Sequence, residues 1–172
     1  MQLAARGIVQ VSSRRGWYVV QPSKTEALEA FEARRVIETG LIRSAGAMDK
    51  TTLKRLKQHI QQEKTALKQD DVGRRSFLLG DFHVRMAELL GNQVLAQLLG
   101  ELISRCALIT LMYQSKHDAE HSAEEHAEIL KAMADRDEAL AVRLMDEHLG
   151  HVQNSLTLDR RVPSNDIALA LN

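Results

Sequence analysis

The sequence predicts an all-α fold, an antiparallel bundle of about six helices preceded by a short β-hairpin. Three observations carry this reading. Pro22 and Pro163 are the only prolines, and they bracket a stretch in which apolar residues recur at helical spacing almost throughout. The links between the periodic segments are short, which favours antiparallel neighbours. Before Pro22 the pattern changes. Ile8, Val9 and Val11, then Trp17, Tyr18, Val19 and Val20, flank Ser12-Ser13-Arg14-Arg15-Gly16. β-Branched and aromatic runs around a turn-forming segment predict a hairpin with a loop longer than two residues.

Each helix has its own signals. Ser23 with Glu26 three residues on forms a capping box, and the first helix runs to about Ala45 with Leu28, Phe31, Val36, Ile37 and Leu41 as apolar surface. Asp49 or Thr51 starts a more polar helix to about Lys68, with Leu53, Leu56, Ile60 and Leu67 inward. Asp70-Asp71-Val72-Gly73 is a break, and a third helix covers roughly 74–90 before Gly91-Asn92. Residues 93–114 are the most apolar stretch, covering more than one helix face. Residues 122–134 and 136–156 form a helical hairpin around Asp135. The expected divisions are 1–22 for the hairpin segment, 23–158 for the helical domain and 159–172 for a loosely held tail.

Composition narrows the class. A length of 172 residues suffices for one domain with a real core, and 23 acidic against 23 basic residues give no general reason to expect a polyanionic partner. Residues 1–25 nevertheless carry Arg6, Arg14, Arg15 and Lys24 with no acid. The single cysteine, Cys106, rules out an intrachain disulfide and reads as a buried thiol in a reducing compartment. Nothing resembles a signal peptide, and no apolar run approaches the roughly 20 residues needed to span a bilayer. The expectation is a cytoplasmic protein without a membrane segment.

Histidine carries the functional signal. His83 shares a helix face with Leu79, Phe82, Met86 and Leu90. His126 lines up with Ile129, Leu130 and Met133, and His148 with Ala141, Leu144, Met145 and Val152. An imidazole on a buried stripe brings a donor and an acceptor that need partners. One reading is a set of core histidines satisfied by backbone or water. The other is a common interior point holding a divalent metal, zinc or nickel, with open coordination positions. His59, His117, His121 and His151 read as surface side chains. Other templates fail on spacing: there is no Glu-x-x-His, no His-Glu-x-x-His, no paired cysteines, no phosphate loop and no Gly-x-Ser-x-Gly.

The segments Phe31-Glu32-Ala33-Arg34-Arg35-Val36-Ile37-Glu38, Phe82-His83 with Leu89-Leu90-Gly91-Asn92, Glu125-His126 with Ile129, and His148-Leu149 occur in that order. Together they resemble the C-terminal sensor (FCD) domain of FadR-type regulators in the GntR family, over about residues 26–156. The ordered set is the specific feature, above all the 22-residue separation of His126 and His148. The resemblance implies a homodimeric helical bundle that binds a small organic acid beside a divalent metal and passes occupancy to a winged helix-turn-helix. It assigns the metal to His83, His126 and His148, and an effector carboxylate to Arg34, which otherwise reads as a surface arginine or the ion-pair partner of Glu38.

Two departures from that pattern follow. The family's usual aspartate, four residues before the first histidine, is here Leu79, so the centre is expected to lose its one anionic protein ligand. Residues 1–8 resemble the end of a recognition helix and 8–20 the wing, with Arg14 and Arg15 as DNA contacts at its tip. On this reading most of the DNA reader is missing, and DNA binding should be weak, salt-sensitive and indifferent to sequence. Two rival readings remain: a metal-dependent enzyme, which lacks an acidic residue on the inward faces to serve as general base, and a structural helical protein with packed histidines.

Overall fold

The computed structural model describes residues 9–12, 16–19, 24–69, 71–113 and 116–155, with side chains described for 25–69, 71–106 and 116–155. Strands β1 (Val9–Ser12) and β2 (Gly16–Val19) pair antiparallel, with Val9 opposite Val19 and Ser12 opposite Gly16. Arg14 and Arg15, the cap Ser23 and the tail 159–172 lie outside the described residues. The remainder is helical: α1 (Lys24–Ser44), α2 (Lys50–Gln69), α3 (Val72–Leu89), α4 (Gln93–Tyr113), α5 (Lys116–Ala134) and α6 (Glu138–Ser155).

Side-chain caps define the helix starts. Asp49, Asp71, Asn92 and Asp137 each accept a bond from a backbone N–H three residues on, at Thr52, Arg74, Leu95 and Leu140. Each satisfies a donor that the first helical turn leaves open. Gly91 closes α3 with φ of 88°, where Asn92 N–H reaches Ala87 O and Gly91 N–H reaches Glu88 O, the Schellman pattern. Arg136 takes the same place after α5 at φ 60°, where its N–H reaches Met133 O and Asp137 N–H reaches Ala132 O. That turn explains why α6 starts at Glu138 and not at Arg136. Helix α5 also begins earlier than its apolar period suggests, because Ala119 and Ala123 are its buried residues there and alanine gives a weak apolar signal.

The helices close into a ring in the order α1, α4, α3, α2, α5, α6, with α3 also meeting α5 and α1 across the centre. Phe31, Leu41, Leu56, Phe82, Met86, Leu99, Ile129, Met145 and Leu149 are essentially inaccessible. Each such burial contributes about 1.5–3 kcal/mol. Helix α1 departs from the expected pattern. Leu28 and Val36 are 38% and 71% exposed, whereas Arg34 and Glu38 are buried. The inward line is Ala27, Phe31, Arg34, Glu38 and Leu41, so two charged residues take places expected of aliphatic ones.

Candidate metal centre

Five of the six helices send a polar side chain to the middle of this ring. Histidines 83, 126 and 148 come from α3, α5 and α6, and all are buried. The Nε2 atom of His148 lies 3.3 Å from that of His126 and 3.4 Å from that of His83. One nitrogen from each ring falls within 4.8 Å of the others. Phe82 stacks on His126, with centroids 4.0 Å apart at 14°, and this fixes one ring plane.

Behind each imidazole stands a carboxylate. Glu38 of α1 takes the Nδ1 of His83 at 2.5 Å. Both oxygens of Glu63 of α2 lie 3.1 Å from Nδ1 of His126, and Glu125 of α5 takes Nδ1 of His148 at 2.7 Å. A carboxylate can only accept, so each Nδ1 carries a proton, and in the neutral ring that leaves Nε2 as the nitrogen with the lone pair. Burial pushes His83 well below the ordinary imidazole pKa and holds His148 near 4, against the pull of the adjacent carboxylates. These rings are therefore neutral. The carboxylates remain ionised despite burial. The Arg34 guanidinium and His83 hold Glu38 at about 2, hydrogen bonds from His148 and His151 hold Glu125 at about 2, and His126 and His59 lower Glu63.

Three lone pairs aimed at one point repel unless something electron-poor lies between them. Nitrogens about 2.0–2.1 Å from a tetrahedral ion lie about 3.3–3.4 Å from one another, which matches the two Nε2 separations here. Imidazoles that each donate Nδ1–H to a carboxylate are the arrangement that orients metal-ligating histidines. The donor set fits a divalent ion.

A cavity of about 40 Å³ opens on this point, lined by Arg34, Leu79, Ser122, the histidines 83, 126 and 148, and neighbouring residues of α3, α4 and α6. Arg34 is 4% exposed and gives its Nε–H to Glu38 at 2.8 Å, so it is at once an ion-pair partner and part of the cavity wall. Leu79 is buried and also faces the cavity.

The structure corrects two expectations. His59 is buried, donating Nε2–H to Leu78 O at 2.9 Å beside Glu63. Those bonds outweigh its burial and raise its pKa. The inward faces do carry acids, namely Glu38, Glu63 and Glu125. They sit behind the imidazoles and none is among the residues lining the cavity, so no described carboxylate is placed as a general base there. Leu79 does leave the centre without an anionic ligand on the cavity wall, and three carboxylates supply negative charge one bond further out. Spacing could have exposed them. Glu63 shares the α2 stripe with Leu56, Ile60 and Leu67, and Glu38 shares that of α1 with Phe31, Leu41 and Ile42. Among the described residues, no helix is long and apolar enough to cross a membrane.

Comparison with known proteins gives concordant matches. The FCD domain family matches residues 29–151. The HTH-type transcriptional repressor RspR of Escherichia coli K12 is 23% identical over 167 residues, which is 96% of this chain and 73% of that protein. An uncharacterized HTH-type regulator, YdfH of Shigella flexneri, matches to the same extent. Among solved structures, a putative GntR regulator from Rhodococcus sp. RHA1 superposes with a TM-score of 0.81 at 18% identity, over 93% of this chain and 77% of that one. Streptococcus agalactiae GntR gives 0.68 at 21% identity, over 90% and 78%. The structural likenesses establish the shared fold. The named relatives are transcription regulators, not enzymes.

Proposed function

This chain belongs to the FCD domain family of GntR-type transcription regulators, and we propose that it senses a small carboxylate at a metal centre and dimerises as part of such a regulator. The observation that carries the reading is the convergence of three Nε2 atoms, each backed by a carboxylate, on a cavity that Arg34 also lines. His83, His126 and His148 would hold a divalent ion, with zinc favoured by the all-imidazole set and the tetrahedral spacing and nickel as the alternative. When bound, the ion supplies positive charge and open positions for a carboxylate oxygen.

Charge supports an anionic effector. Three buried carboxylates against the Arg34 guanidinium leave two negative charges around the triad, which a divalent ion balances. His59, held toward its charged form by Glu63, then tips the filled centre toward an anion. Arg34 also lines the cavity, where its guanidinium can donate to a carboxylate oxygen. A cavity of about 40 Å³ has room for about three water-sized groups. A small monocarboxylate suits this space better than a dicarboxylate.

Helix α1 is the route outward. It contributes Arg34 to the cavity and Glu38 to His83, and it follows the β1–β2 hairpin after a four-residue link, 20–23. An effector that pulls on Arg34 therefore biases the helix that follows the wing-like segment in sequence, where Arg14 and Arg15 would touch DNA phosphates in the cytoplasm. For dimerisation, α1 and α4 pack together and expose Leu28, Val36, Val94 and Leu98, apolar area that a second copy would cover.

A thermal-shift panel of organic acids on the zinc-loaded chain tests this. Small carboxylates should raise the melting midpoint by mass action. Chelator should remove most of that gain. Arg34→Lys, which keeps the charge beside Glu38 but loses the planar fork, should weaken the acid without releasing zinc. Stabilisation by neutral or cationic ligands alone, or carboxylate binding indifferent to chelator, defeats the reading.

A further inference from the structure

Glu125 faces two ways. Its Oε2 accepts from His148 in the interior, while its Oε1 contacts His151 Nδ1 and lies 3.2 Å from His121 Nε2 at the surface of the α5–α6 hairpin. The His121 and His151 rings are 5.5 Å apart at 41°, and one ligand atom from each of the three residues falls within 4.8 Å of the others. We propose that His121, His151 and Glu125 form a second divalent-metal site, open to solvent and joined to the inner centre through the shared Glu125 carboxylate.

The parts suit the task. His121 and Glu125 are one helical turn apart, so α5 sets their spacing, and α6 supplies the third ligand. The His121 and His151 side chains are 52% and 56% exposed, so a hydrated ion reaches them and they can close around it without disturbing the core. Two imidazoles and one carboxylate select zinc, copper or nickel over magnesium or calcium, with water filling the remaining positions.

Sharing Glu125 has a consequence that rests on the inner triad also binding metal. An ion on Oε1 draws charge from the carboxylate, which then becomes a poorer acceptor for His148 Nδ1–H, and His148 a poorer ligand. The two sites oppose each other, and the effect is reciprocal. Occupancy of the surface site thus reads out the external metal concentration and loosens the inner one.

Calorimetric titration of the full chain with Zn²⁺ alone tests the proposal, comparing the parent with the double variant His121→Ala/His151→Ala. The expected result is two equivalents in the parent and one in the variant, with the tighter one retained. With its surface site gone, the variant should also hold the inner zinc about fivefold or more tighter than the saturated parent does. Both substitutions are at exposed positions, and an unchanged helical melting curve in chelator checks the fold. If the double variant leaves stoichiometry and affinity as they were, the surface site does not exist, whatever the inner triad does. A parent that binds a single zinc, lost in the variant, supports the surface site and overturns the inner metal. Equal inner affinity in both proteins overturns the coupling.

Discussion

The inner and outer histidine clusters use the same residue types and share one carboxylate, yet they are built differently. In the inner cluster every imidazole is buried and every Nδ1 is held by its own glutamate, so all three Nε2 atoms are aimed before any ligand arrives. In the outer cluster the His121 and His151 side chains are about half exposed, and Glu125 is their common anchor. The contrast teaches what preorganisation costs. The interior spends three buried carboxylates and an ion-paired arginine to fix three rings, whereas the surface leaves the ordering to the ion. Affinity and selectivity should follow that division.

The largest expected difference comes from removing one inner ligand. His126→Ala should abolish most of the zinc-dependent rise in melting midpoint, a stabilisation of about 4 kcal/mol at zinc a thousandfold above its dissociation constant. His121→Ala/His151→Ala should keep nearly all of it. Equal losses in differential scanning fluorimetry would erase the distinction between the clusters.

Leu79→Asp sharpens the comparison from the opposite side. It places a carboxylate on the cavity wall one turn before His83. Without metal, an unpaired buried carboxylate among Leu67, Ala119 and Ala123 should cost about 3 kcal/mol. With saturating zinc the variant should recover and show a larger zinc-dependent shift than the parent. A variant whose shift matches the parent's would mean that position 79 does not reach the centre.

The third and smallest effect separates the carboxylates. Glu63→Gln should lower inner zinc affinity about 10–100-fold and leave the surface equivalent unchanged. Glu125→Gln should weaken both. Competition with a chromophoric chelator distinguishes the two patterns, and identical behaviour of the two variants would remove Glu125 from the outer cluster.

Much of this was legible before any coordinates. Apolar periodicity found all six helices, and the three inward histidines stood out because an imidazole on an apolar stripe needs a partner. The same logic applied to acids would have flagged Glu38 and Glu63, but both sit four residues after a side chain that offers a surface ion pair, Arg34 and His59. The i,i+4 pairing is equally satisfied on a solvated face and in the core, so it hides burial. His59 reads as a surface side chain for that reason, though it is buried. Leu28 and Val36 failed in the other direction, since an isolated exposed aliphatic costs little and leaves no mark in the pattern.

By itself the sequence determined which segments are helical, that Asp49 starts one and Gly91 stops another, and that three histidines point inward. Those properties depend on neighbours within one or two turns. Which carboxylate stands behind which histidine was decided only by the closed ring, because Glu38 meets His83 across 45 residues and Glu63 meets His126 across 63. Helical period fixes the face a side chain occupies but not the helix that face will meet. Glu125 lies next to His126 in sequence yet anchors His148, because adjacent residues on a helix diverge by about 100°. Only the packing of α6 against α5 turns that divergence into a link between the interior and the surface.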